Sequence, residues 1–160
     1  LRNHGLIDRD TCAVFAYNSR LDTIQAVIAD HLLDKLPFIT DARIKNAYFL
    51  DTALKDIEQV FIPDRGTKDI KQVYHIYSLL FKQRDQLKEY LNSKGIDAKI
   101  HYPKPVHLQP AAKNYGYEEG DFPMAEKVSS ETLSLPVHEY ITESDLKYMA
   151  SEIKNFYKNN

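Results

Sequence analysis

The stretch QVYHIYSLLFKQRDQLKEYLNSKGIDAKIHYP, residues 72–103, carries the reading of the fold. From Val73 to Phe81 nearly every position is apolar or aromatic, and that run predicts a strand covered on both faces. The next segment changes period: Leu87, Tyr90 and Leu91 share one helical face, and Gly95 followed by Ile96 supplies a stop. AKIHYP then predicts a short strand ending at Pro103.

Working outward, QVFIP from Gln59 is a further strand candidate, and two consecutive helical segments precede it. The first runs from Ser19 to about Lys35, with Leu21, Ile24, Ile28 and Leu32 on one stripe; the second places Ile44, Ala47, Tyr48, Leu54 and Ile57 on the helical period. Beyond Pro103, KPVHLQPAAKNYGYEEGDFP is rich in Pro and Gly and predicts a surface excursion with a helical turn or two around Ala111. Pro123 opens a helix that reaches about Thr132. Thr142 and Asp145 form a capping box for a last helix with Leu146, Met149, Ile153 and Phe156 or Tyr157 on its stripe. The order predicts an α+β domain hung on a helical connector, with residues 1–57 and 58–160 as the two parts.

Composition narrows the class. With 43% hydrophobic and 28% charged residues the chain reads as an ordinary globular protein, and a net charge of −2 without a Lys/Arg block gives no support for a nucleic-acid face. The lone Cys12 rules out an internal disulfide and a thiolate-rich zinc site, which fits a reducing compartment, so cytoplasm is the expectation. No apolar run reaches the roughly 20 residues of a membrane span, and LRNHGLIDRD lacks a signal-peptide layout. A first residue of Leu predicts a chain cut from something longer.

Two clusters could carry chemistry. Asn18, Ser19 and Arg20 stand at the predicted mouth of the first helix. A cap would explain Asn18 or Ser19, whereas the unpaired N–H groups of a first turn would equally hold an anion, with Arg20 adding a charged fork. In HYPKPVH, His101, Tyr102 and His107 lie in a loop stiffened by Pro103 and Pro105. Their spacing matches no metal site, which leaves a polar binding wall. His75, inside the apolar run, reads as a buried histidine bonded to its neighbours. Ser134 and His138 in LSLPVH are open in the same way, but no G-x-S-x-G elbow accompanies them. With five glycines the chain can write neither G-x-G-x-x-G nor a P-loop.

Six motifs in order, LRNHGL, YNSRLDTIQA, YHIY, GIDAKIHYPKPVHLQPA, GYEEGDFPMAE and LSLPVH, resemble the C-terminal part of the DegT/DnrJ/EryC1/StrS family of sugar aminotransferases. The resemblance implies a pyridoxal 5'-phosphate (PLP) enzyme that moves an amino group from glutamate onto a nucleoside-diphosphate-linked keto sugar. It implies the fold-type I architecture, with this chain supplying the last helices of the large α/β domain and the small C-terminal domain, a small antiparallel sheet with helices. It also implies a homodimer with shared active sites, in which Asn18, joined by Arg20, reaches the PLP phosphate of the other subunit, while His101, Tyr102, His107 and, behind them, His75 face the sugar nucleotide. One departure is Ala16, where the family often has glycine.

PLP chemistry needs a lysine that forms the Schiff base and an acid for the pyridinium nitrogen. No lysine here lies in a matching context, so the resemblance implies no catalytic residue in this chain, no turnover by it alone, and no tight hold on the cofactor. The alternatives are a non-catalytic regulatory or binding relative of the family and a free-standing interaction module.

Overall fold

The structure, a computed structural model, describes residues 6–8, 11–14, 16–17, 19, 21–67 and 69–159. It divides into two compact units, Leu1–Pro37 and Phe38–Asn160.

In the first unit helix α1 runs from Thr23 to Leu33, with Asp22 in extended backbone as its N-cap. The helix therefore starts four residues later than the sequence predicts. The reason is local: the Asp22 N–H donates to Gln25 Oε1 at 3.3 Å, and the Asp22 carbonyl accepts the first helical bond from Ala26 at 2.8 Å. Ser19 lies exposed upstream of this cap. Asn18 and Arg20 themselves fall outside the described residues. Leu21, Ile24, Ile28 and Leu32, the predicted stripe, are all exposed, as are Val27 and Leu33.

The second unit is built on a three-stranded antiparallel sheet in the order β1 (Val60–Phe61), β2 (Tyr77–Phe81), β3 (Thr132–Leu135). Helices α2 (Leu36–Leu54), α3 (Arg84–Ser93), α4 (Pro123–Glu131) and α5 (Glu143–Asn159) complete it, α2 beginning two residues before the unit does. The core joins Leu50 and Leu54 of α2, Leu79 and Phe81 of β2, Leu87 and Leu91 of α3, and Leu133 and Ile153 of β3 and α5, all with no exposure. At the end of α3, Gly95 takes φ +79°, which lets the Ile96 N–H reach back to the Leu91 carbonyl at 3.0 Å. The predicted capping box of α5 is present: Thr142 N–H donates to Asp145 Oδ2 at 2.9 Å and Asp145 N–H to Thr142 Oγ1 at 3.2 Å.

Three expectations change. The strand is Tyr77–Phe81, not Val73–Phe81, because Tyr74 turns at φ +49° and Arg43 of α2 takes the carbonyls of Tyr74 and His75 at 3.2 and 3.4 Å. That leaves His75 exposed rather than buried, and β2 fully covered only on its Tyr77, Leu79, Phe81 face. AKIHYP contributes one isolated bridge, Lys99 to Ser134, instead of a strand. The missing partner of β2 is TLSL, which follows α4 without a turn and is buried at all four positions. No described helix is long and apolar enough to cross a membrane.

Candidate functional site

Of the residues singled out in the sequence, His75, His101, Tyr102, His107, Ser134 and His138 fall into two hollows of the second unit. The smaller, of about 200 Å³, is lined by His75, His101 and His138 together with Arg43, Lys99 and Ser134. The larger, an apolar groove of about 710 Å³, is lined by Tyr102, Val106, His107, Tyr115, Tyr117 and Phe122, among others. His101 and Tyr102, adjacent in sequence, thus face different hollows.

His101 is half-buried, and its Nδ1 lies 3.0 Å from Ser134 Oγ, which in turn lies 2.6 Å from Ser78 Oγ. The sheet register explains the meeting: Ser78 and Ser134 are Cα partners across β2 and β3, and the Lys99–Ser134 bridge delivers His101 two residues later. His138 accepts the Tyr140 N–H on Nδ1 at 3.3 Å. Ser134 and His138 were visible in LSLPVH; Arg43 gave no signal, since its role is to bind carbonyls remote in sequence.

In the groove, Tyr102 is 73% exposed whereas His107 is 9% exposed and packs its ring 4.8 Å from that of Phe122. Its Nε2–H donates to Glu126 Oε1 at 3.0 Å, since a carboxylate can only accept. The same oxygen accepts the Gly120 N–H at 2.9 Å and the Phe122 N–H at 3.4 Å. Glu126 is therefore the hub of the groove, and sequence reading missed it. The Gly120 N–H first, then His107 and Phe122, hold its carboxyl below the ordinary 4.5, against the opposing pull of desolvation. A carboxylate whose value falls on folding stabilises the folded loop above the ordinary value, and that contribution is lost as pH falls through the depressed one. The Gly120 and Phe122 amide resonances are thus expected to titrate together with a midpoint below 4.5, and Glu126→Gln to abolish that titration.

Residues 1–154 match the sequence profile of the DegT/DnrJ/EryC1/StrS aminotransferase family. The chain belongs to that family. It is 33% identical over 159 residues to the "Pleiotropic regulatory protein" of Geobacillus stearothermophilus, covering 99% of this chain and 43% of that one. It is also 33% identical over 137 residues to the dTDP-3-amino-3,4,6-trideoxy-alpha-D-glucose transaminase of Streptomyces venezuelae, covering 86% of this chain and 36% of that enzyme. Among solved structures, S. venezuelae DesV in complex with a ketimine intermediate superposes with a TM-score of 0.91 at 29% identity, over 98% of this chain and 42% of the other. A DegT/DnrJ/EryC1/StrS aminotransferase from Brucella abortus gives 0.85 at 34%, over 96% and 40%. This DegT-family chain therefore spans less than half the length of the relatives it matches, and the expected α+β fold, a small antiparallel sheet with helices, is the one its structural relatives share.

Proposed function

We propose that this chain is the C-terminal part of a PLP-dependent aminotransferase that moves an amino group from glutamate onto a nucleoside-diphosphate-linked keto sugar, in amino-sugar biosynthesis, as a homodimer. The observation that carries the reading is the family match over nearly the whole chain, joined to a groove of a size usual for small-molecule sites beside a histidine-lined hollow. Residues 1–57 would then be the end of the large domain and its connecting helices and 58–160 the small domain, α2 being a connector that packs on the latter.

The described residues do not supply the cofactor's anchor. A lysine activated for this chemistry sits desolvated in a pocket, and no described lysine is buried. Asn18 and Arg20 are assigned to the phosphate of the partner subunit's cofactor, and His101, Tyr102, His107 and His75 to the sugar nucleotide. The chain alone should be inactive.

The test is the absorbance of the full-length protein with PLP and then glutamate. A visible cofactor band that glutamate bleaches, with no such band from the 160-residue chain, is expected. The second reading, a regulatory relative, is favoured by the name of the G. stearothermophilus protein. Full-length protein that gives no band would establish that reading and sink the first.

A further inference from the structure

His75, His101 and His138 line the smaller hollow, and two of them, His75 and His138, are exposed on segments outside the sheet. The Lys99–Ser134 bridge carries His101. In contrast, β2 starts only at Tyr77 and β3 ends at Leu135, so no ladder fixes the backbone at His75 or His138. What reaches both is one face of α2. Arg43 Nη1 donates to the Tyr74 and His75 carbonyls at 3.2 and 3.4 Å. Asn46, three positions on and so on the same helix face, donates from Nδ2 to the Val137 and His138 carbonyls at 3.3 and 3.0 Å. The His138 carbonyl also accepts the Ile141 N–H at 3.1 Å.

Two features point to positioning rather than to stability alone. Tyr74 sits at φ +49°, left-handed backbone that an aromatic residue keeps only when its surroundings impose it. Arg43, for its part, under-uses its strongest partner. A guanidinium and a carboxylate favour a bidentate fork, as Arg65 and Asp51 form at 3.0 and 2.7 Å. Arg43 Nη2 instead stops 3.6 Å from Glu139 Oε2, a buried oxygen with no hydrogen-bond partner among the described residues. The guanidinium has gone to the carbonyls.

We propose that Arg43 and Asn46 are positioning residues that hold the His75 and His138 turns in one frame, so that α2 sets the spacing of the two imidazoles at the hollow. Resting on the aminotransferase reading above, which gives His75 to the sugar nucleotide, this clamp acts on the binding of that substrate and not on the exchange with glutamate.

Nitrogen-15 relaxation of the 160-residue chain reads the clamp directly. In the wild type the His75 and His138 amides are expected near the rigid order parameter of about 0.85. Arg43→Lys keeps the positive charge but not the fixed fork, and should drop the His75 amide below about 0.6 while those of His138 and the core residue Leu79 stay put. Asn46→Ala should do the converse and loosen His138 alone. Asn46 is 6% exposed; if its variant does not fold, Arg43→Lys and Arg43→Ala, at a side chain 24% exposed, carry the test. No loss of order at His75 in either Arg43 variant, or a loss spread through the core, overturns the proposal. In the full-length enzyme Arg43→Lys should raise KM for the sugar nucleotide by about 2- to 10-fold, the range of a single hydrogen bond, with the glutamate half-reaction unchanged. Once His75→Ala is present it should add little further. A loosened His75 turn with KM unmoved, or full additivity with His75→Ala, overturns the link from clamp to substrate. A full-length wild type without transaminase activity, with the relaxation result intact, overturns the aminotransferase reading and upholds the clamp.

Discussion

Asp51→Ala should cost the chain about 3 kcal/mol, the low end of the range for breaking a buried ion pair from one side, because this pair is only partly buried. Asp51 lies on α2 with its side chain 14% exposed, and Arg65 meets it through two bonds, Nε to Oδ2 at 3.0 Å and Nη2 to Oδ1 at 2.7 Å. Tyr77 of β2 donates its hydroxyl to the same Oδ1 at 2.8 Å, and burial first, then the Asp51 charge, push its ionisation far above the ordinary range. The Arg65 guanidinium also lies over the rings of Tyr74 and Tyr77 at 5.4 and 5.2 Å. Removing the carboxylate strands a charge and a phenol together. Asp51→Asn keeps one acceptor oxygen and should lose only about 1–2 kcal/mol. Urea unfolding would read both as a lower midpoint at constant slope. The double variant with Arg65→Ala should fall well short of the sum of the singles; additivity within about 0.5 kcal/mol would mean that the pair is not coupled.

Phe81→Ala is the other large effect, about 3–5 kcal/mol. Phe81 ends β2 with no exposure, inside the cluster that holds Leu79, Leu87 and Ile153. The control is one strand away: Phe61 in β1, adjoining the position paired with Phe81, is 60% exposed, and Phe61→Ala should stay within about 0.5 kcal/mol. Equal losses at the two positions would contradict the burial that defines this core. Phe81→Leu, which leaves a smaller void, should cost roughly half the alanine figure or less.

Helices α3, α4 and α5 were legible because each carries its own punctuation. The Pro123 start, the Gly95 stop and the Thr142–Asp145 box involve residues within a few positions of one another, and all three appear as read. The sheet was harder. VYHI has a strand's composition but not its pairing, because Arg43 claims the carbonyls that a ladder needs, from some 30 positions away. TLSL was passed over because four residues running straight out of a helix show no period of their own. At the site, the histidines and Ser134 stood out by type, while Glu126 matters through His107, 19 positions away, and looks like any surface glutamate.

The fastening of the groove says where this chain can vary. Between Tyr102 and Phe122 the excursion is tied to α4 through one carboxylate oxygen, which grips His107 near its start and Gly120 and Phe122 near its end. From Gln109 to Glu119 every residue is exposed or half-buried, and none bonds to Glu126. Insertions or deletions in that middle span leave both knots in place, and lengthening it costs little, about 0.6 kcal/mol for each doubling of a flexible loop. A lineage could thus remodel the mouth of the groove, and with it the molecules admitted, without renegotiating the fold beneath.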